Sequence, residues 1–279
     1  MAHGDRVAEK IQAYLEEHLC WAFGALGVVN FTPLVQLGGS RFTGLASATS
    51  DYDFFCGVPS AVARRAPEAR ALLAVRLENA GIVSGSHACT DQRPNQTLKF
   101  VDSKSNPSCK TYASVMVCDE NDETLRGCRV ISRRLQAFYS GKPDFKEVMA
   151  EVADKLREAG FVAQQGKETR QGLKSATLYA WCAGLWSLWP GRLLCRADVY
   201  AATARFDAAE EAVTIDADAN GQPRFEVQER RNCEASRRHG RDALVVVNLG
   251  RNSASRVTHV MLAHLQIHAG NFDSCVPIS

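Results

Sequence analysis

Residues 37–55 read LGGSRFTGLASATSDYDFF. The segment before them, VVNFTPLVQL, reads as extended, and Gly38-Gly39 end it in a tight turn with Ser40 directly behind. Glycine lets a backbone come close to another group, so such a turn can offer N–H groups and a hydroxyl to phosphate oxygens. Asp51 and Asp53 then stand one residue apart at the head of YDFFCGV, which reads as a partly buried strand. Alternate strand residues share a face, so the two carboxylates point together while Tyr52 and Phe54 point into packing. Two carboxylates on one face repel unless a divalent cation lies between them. Mg2+ (or Mn2+) suits the place, being a hard ion whose shell phosphate oxygens can complete. The turn and the acidic pair together predict a metal–triphosphate site of the kind that supports two-metal phosphoryl or nucleotidyl transfer.

Around this stretch the chain alternates between the two hydrophobic periods. Val7, Ile11, Leu15, Leu19 and Phe23 give residues 5–26 one apolar helical face. Ser60 is placed to cap a helix running to about Asn79, stopped by Gly81. IVSGSHAC, TLKFVD and TYASVMVC read as three short strands, with the turn-rich linker SKSNPSC between the last two. From Glu123 the pattern turns helical: ETLRGCRVISRRLQAFY, then DFKEVMAEVADKLREAG with a capping-box variant of Asp144 and Glu147, then LKSATLYAWCAGLWSLW. Residues 196–212 read as a further helix, AVTIDADANGQPRFEV as a hairpin, and SRVTHVMLAHLQIHA as a final helix. DADANG has the look of a calcium-loop opening, but Val227 falls where a bidentate Glu is needed, so it reads as a turn. His264 and His268 share a helical face with no intervening metalloprotease pattern, which argues against zinc. The basic run Arg230, Arg231, Arg237, Arg238 and Arg241 is either solvated surface or a contact for an RNA backbone.

The string GGSRFTGLASATSDYDFF resembles the signature of the DNA polymerase β-like nucleotidyltransferase superfamily, in its poly(A) polymerase and terminal uridylyltransferase branch. That pattern is Gly-Ser, a Gly four residues after the Ser, and Ser/Ala-Asp-x-Asp, and Ser40, Gly44, Ser50, Asp51 and Asp53 fall in place. GLKSATLYAWCAGLWSLWP is similar to a helix of the central domain in these polymerases, and NLGRNSASRVTHVML to the segment that closes it, with Asn252 and Ser253 facing the cleft or capping the helix. The resemblance implies an α+β fold: a small mixed β-sheet nucleotidyltransferase domain over residues 1–125 and a mainly helical central-type domain over 126–279. The N-terminal helix is left open to pack on either. It implies nucleotide contacts from Gly39 and Ser40, metal ligation by Asp51 and Asp53, a triphosphate lysine best matched by Lys155, and base-side contacts from Ser175 and Lys174. Tyr179 stands between base stacking and core packing.

The family's third carboxylate sits mid-strand between apolar residues, and TYASVMVC puts Ser114 there. A serine is a poor metal ligand and cannot serve as the base for an acceptor hydroxyl. Asp102 and Asp119 are the substitutes, the first if its hairpin folds it inward, the second if a bulge reverses its face. The implied reaction is template-independent transfer of a nucleoside monophosphate from an NTP to an RNA 3′-hydroxyl, with Mg2+ or Mn2+ and release of pyrophosphate. The alternative is a catalytically impaired partner subunit that stabilises or recruits an active polymerase. A third possibility moves the acceptor to a small molecule or a protein hydroxyl.

Composition narrows the setting. A net charge of +2 over 279 residues leaves no global basic footprint, so RNA contact must be local. The ten cysteines form no C-x-x-C pair and no zinc-spaced cluster, which fits small core residues in a cytoplasmic or nuclear protein. The N-terminus reads polar and then amphipathic rather than as a signal peptide, and no apolar run reaches membrane-spanning length. Because the chain stops after its closing helix, an added RNA-binding domain is expected to be absent or supplied by a partner.

Overall fold

The computed structural model describes residues 6–47, 50–80, 97–102, 111–158, 175–204, 211–217, 222–229 and 245–247. They fall in two compact units, residues 1–42 with 48–130 and residues 43–47 with 131–279.

The first unit opens with α1 (Arg6–Ala25), whose Ile11, Leu15, Leu19 and Phe23 are wholly buried at helical spacing. Strand β1 (Val35–Leu37) is shorter than the extended segment expected for residues 28–37. Pro33 interrupts that segment and lacks the N–H a ladder needs. A five-residue helix, α2 (Gly39–Thr43), follows where a bare turn was expected. Strand β2 (Tyr52–Val58) comes next, then α3 (Ser60–Ala63) and α4 (Ala66–Asn79). The single helix expected from Ser60 is thus two pieces. Pro67 in the first turn of α4 favours a fresh start, and Pro59, not Ser60, is the N-cap of α3. Strands β3 (Thr97–Asp102) and β4 (Thr111–Asp119) complete the series, and helix α5 (Glu123–Ser140) begins in this unit and continues from residue 131 as part of the second. The segments IVSGSHAC and SKSNPSC lie outside the described residues.

The sheet order is β1-β2-β4-β3, with β2 and β4 parallel and the outer pairings antiparallel. Tyr52, Phe54, Cys56 and Val58 of β2 and Ala113, Val115 and Val117 of β4 form a core with α1 and α4, against Leu73 and Leu77. The N-terminal helix, left open to either domain by its sequence, is built into this core. The opposite face of the sheet carries Phe55 and Cys118, covered by Leu125 of α5. Burial pushes the Cys56 and Cys118 thiols up to about 12, so both behave as small apolar core groups.

In the second unit, α6 (Pro143–Glu158), α7 (Ser175–Leu188) and α8 (Arg196–Ala204) pack with a three-stranded antiparallel sheet, β5 (Glu211–Ala217), β6 (Pro223–Glu229) and β7 (Val245–Val247). The sheet order is β6-β5-β7. Helix α6 begins on Pro143, so Asp144 lies inside the first turn, where the helix dipole favours an acid, rather than at a capping box. Of the helix expected over 196–212, Arg196–Ala204 is helical, while Glu211 and Ala212 pair with Glu229 and Gln228 as strand. The hairpin of β5 and β6 is as read. Strand β7, three valines in a row, was not anticipated. Tyr139, Tyr179, Trp181 and Phe225 anchor the core of this unit. Among the described residues no helix is long and apolar enough to cross a membrane.

Candidate functional site

The turn and Asp53 meet within the first unit. Gly38 N–H donates to the Asp53 carbonyl at 2.7 Å, which carries the chain from β1 across the head of β2. Gly39 then lies directly on the Asp53 side chain. A Cβ there would stand 2.3 Å from Asp53 Oδ2, and its φ of 59° is one that glycine alone adopts without strain. Gly38 stacks in the same way over the Phe55 ring, two residues further along that face. Asp51 immediately precedes β2 and Asp53 is its second residue. Both are half-exposed, and Asp53 lies between the buried Tyr52 and Phe54, the alternation that turns its carboxylate away from the core those rings enter. Ser40 is largely buried within α2.

Arg41 was not singled out by its sequence, where it falls between Ser40 and Gly44 of the quoted pattern. It donates from Nη2 to the Ser50 carbonyl at 2.8 Å, and its guanidinium lies 4.2 Å from the centre of the Tyr52 ring. These contacts tie α2 to the residues entering β2, so both ends of the intervening loop are fixed next to each other. Nothing in the spacing announces this. The signal is chemical, a lone guanidinium close to an aromatic that follows an acid.

The resemblance sets a hydroxyl at the third carboxylate's place. Ser114 stands opposite Asp53 in the parallel register of β2 and β4, and its Oγ donates to Asp53 Oδ1 at 2.8 Å. Asp119 does not substitute. It lies five residues down β4, about 16 Å along a strand, opposite Val58. There it accepts from Asn121 N–H at 2.8 Å and Ser60 Oγ at 3.0 Å, bonds that hold its carboxyl below the usual range. No bulge intervenes, because the register runs without a break from Ser114 to Asp119. Asp102 pairs with Thr111 while Lys99 pairs with Ser114, which sets Asp102 three register positions from the level of Asp53. Among the described residues no three His, Cys, Asp or Glu side chains gather as a metal-binding group. Asp51 and Asp53, both half-exposed, are the carboxylates that could hold one hard divalent cation completed by phosphate oxygens. They do not make the three-acid set that would hold two.

The remaining sequence candidates belong to the second unit. Lys155 lies on the exposed face of α6 and pairs with Glu158 at 2.9 Å, an ordinary i,i+3 surface pair. Ser175 is the first residue of α7 and half-exposed, while Lys174 lies outside the described residues. Asn252, Ser253, the basic run 230–241 and the histidines near the end also lie outside them. Tyr179 is buried, and its hydroxyl is committed. It accepts from Arg157 Nη2 at 2.8 Å and donates to the Leu45 carbonyl at 2.9 Å. Base stacking by Tyr179 is therefore ruled out by burial, and core packing is its role. Gly44 of the signature, at φ 71°, lies against Lys146 of α6, whose Nζ would be 2.5 Å from a Cβ there.

The chain has a nucleotidyltransferase fold, as the resemblance implied. Among similar solved structures, the Cid1 poly(U) polymerase bound to MgGTP matches with a TM-score of 0.63 at 13% identity, over 98% of this chain and 91% of that one. The polymerase core of TRAMP, an RNA surveillance complex, matches with a TM-score of 0.58 at 12% identity, over 94% and 79%. The STING-associated CdnE c-di-GMP synthase from Capnocytophaga granulosa matches with a TM-score of 0.53 at 12% identity, over 95% and 81%. No family model and no curated protein matches the chain. At such identities the likeness is one of fold.

Proposed function

We propose that the chain binds a nucleoside triphosphate with Mg2+ or Mn2+, and that the site serves transfer of a nucleoside monophosphate to an RNA 3′-hydroxyl. The observation that carries this reading is the seating of Gly39 on the Asp53 carboxylate, which supports a turn and an acid serving one ligand. The backbone and hydroxyl of Gly39 and Ser40 would hold the β- and γ-phosphates, while Asp51 and Asp53 would hold the cation, which supplies charge neutralisation when bound. In the transfer, a bond forms between the acceptor 3′-oxygen and the α-phosphorus, the bond from that phosphorus to the bridging oxygen breaks, and pyrophosphate leaves. Positioning and charge compensation are the protein's main contributions to such a step. Arg41 fits as a positioning residue through its hold on Ser50. Lys174 and Ser175 remain proposed nucleotide contacts. A cytoplasmic or nuclear location and a role in RNA 3′ tailing go with this reading.

One observation favours a second reading. The acceptor hydroxyl must give up a proton, and Ser114, which already donates to Asp53, is no base for it. In that reading the chain keeps nucleotide binding and acts as a catalytically impaired partner that stabilises or recruits an active polymerase.

The test incubates the purified protein with Mg2+ or Mn2+, labelled NTPs and an oligo-RNA, beside the Asp51→Ala/Asp53→Ala variant. The first reading predicts tailing that the double variant abolishes. The second predicts nucleotide binding without tailing, also lost in the double variant. Tailing that survives the double substitution would remove these aspartates from the mechanism.

A further inference from the structure

We infer that His18 is a proton-operated latch between α1 and α4: when protonated it takes the Glu17 carboxylate from Arg76 and lets the Arg76 guanidinium go. Three residues within about one turn of α1 hold that guanidinium, which reaches them from α4. His18 Nδ1 accepts from Arg76 Nε at 3.1 Å. Glu17 Oε1 lies 3.9 Å from Arg76 Nη2. Trp21, 42% exposed, stacks with the guanidinium at 4.4 Å from the ring centre.

An imidazole nitrogen accepts a hydrogen bond only while it carries no proton. Neutral His18 therefore keeps its hydrogen on Nε2, and Nδ1 is the atom that a proton from solvent would take. Nδ1 then turns from acceptor to donor, facing the N–H of an arginine that is always charged. Two such donors at 3.1 Å repel, and the Arg76 bond is lost. The acceptor for the new N–H already stands beside it. One oxygen, Glu17 Oε1, lies 3.9 Å from His18 Nδ1 and 3.9 Å from Arg76 Nη2. The Glu17 side chain is 70% exposed, so a small turn carries it from one to the other. Arg76 then keeps only its stack on Trp21.

The surroundings decide when the exchange occurs. His18 is 9% exposed. Burial lowers its pKa, Glu17 raises it and Arg76 lowers it, in that order of size, and the balance falls below the ordinary imidazole value. Among the described residues Glu17 and Arg76 are the charges that bear on it. Tyr14 brings a phenol ring at 6.1 Å. Glu16 is engaged with Gln12 Nε2 and the Val35 N–H, and β1 carries no charged side chain. The unfolded chain takes the proton first, so the latch contributes fully above about pH 6.5 and is lost as pH falls through the folded value. It acts on the core that α1 and α4 share with Tyr52 and Phe54, the neighbours of Asp53 in β2.

The experiment follows the full chain, labelled with 15N in histidine and arginine, by NMR from about pH 8 to about pH 5. The His18 imidazole is assigned through its contact with the Tyr14 ring, and the Arg76 Nε–H through its contact with the Trp21 ring. The expected result is a His18 midpoint below about 6.5, with the Arg76 Nε–H signal shifting and exchanging faster with water at that same midpoint. Glu17→Gln should lower the midpoint and Arg76→Gln should raise it. A histidine that is merely buried would titrate without moving the Arg76 signal, and that outcome would overturn the latch. So would a midpoint at or above the ordinary value, or His18 remaining neutral down to the pH at which the chain unfolds. Substitutions that leave the midpoint in place, or move it the same way, would overturn the partner exchange. The titration of the natural chain decides the matter even if neither variant folds.

Discussion

Gly39→Ala should weaken binding of the cation–NTP complex by at least about tenfold, a loss of roughly 1.4 kcal/mol, and lower any nucleotidyl transfer by about 100-fold. The added methyl would lie 2.3 Å from Asp53 Oδ2 and 3.2 Å from its Cβ, well inside contact distance. Asp53 cannot retreat freely, because Ser114 holds its other oxygen and the main chain is bonded to Gly38. Either the turn lifts or the carboxylate rotates, and both separate the two halves of the site. The φ of 59° adds a backbone cost of about 1–2 kcal/mol for an L-residue. Gly127→Ala is the matching control: it lies in α5 with open space around it, so the same change there should stabilise by about 0.5–1 kcal/mol. Titration calorimetry with Mg2+ and a non-hydrolysable NTP reads the binding, and urea melts read the stability. Undiminished binding in Gly39→Ala would show that the turn and Asp53 do not act together.

Tyr179→Phe should destabilise the second unit by roughly 2–4 kcal/mol although it removes a single oxygen. That oxygen accepts from Arg157 and donates to Leu45, and Tyr139 bonds the Tyr179 carbonyl at 2.8 Å. Arg157 is 6% exposed, so losing the phenol leaves a buried guanidinium N–H and a backbone carbonyl without this partner. Burial pushes the Tyr179 hydroxyl's pKa up, which keeps it neutral and able to donate. Arg157 keeps its ion pair with Asp154 at 2.6 Å, and Arg157→Met in the Tyr179→Phe background should cost less than in the natural chain, since the N–H left without the phenol goes with it. Unfolding followed by tryptophan fluorescence suits the measurement, because Trp181, Trp186 and Trp189 all lie in this unit. A loss under about 0.5 kcal/mol would mean that water replaces the phenol.

What could be read from the residues follows the range of the forces involved. Strands β2 and β4 and helices α1, α5 and α6 were legible because apolar periodicity is local. The bend at Gly38 and the exposure of Asp53 between buried Tyr52 and Phe54 were legible because turn chemistry and strand alternation span only a few residues, while the helix that opens at Gly39 was not. The details lost were of two kinds. One is competition between local signals, as where Pro67 breaks the helix begun at Ser60 and Pro143 shifts the start of α6 ahead of Asp144. The other is partnership across the sequence. Nothing near Arg41 indicates its hold on the Ser50 carbonyl, nothing near Tyr179 names Leu45, and β7 is a strand because it pairs with β5. Ser114 was placed by resemblance. Its hydrogen bond to Asp53 required the pairing of two strands separated by some sixty residues.

The central claim is that residues 39–40 and the Asp51/Asp53 pair form one nucleotide site. A crystal structure of the chain grown with Mg2+ and an α,β-imido NTP tests it most directly. The account predicts phosphate oxygens against the main chain of Gly39 and Ser40, with a cation about 2.1 Å from oxygens of Asp51 and Asp53. A nucleotide bound elsewhere, with neither aspartate touching a cation, would contradict it.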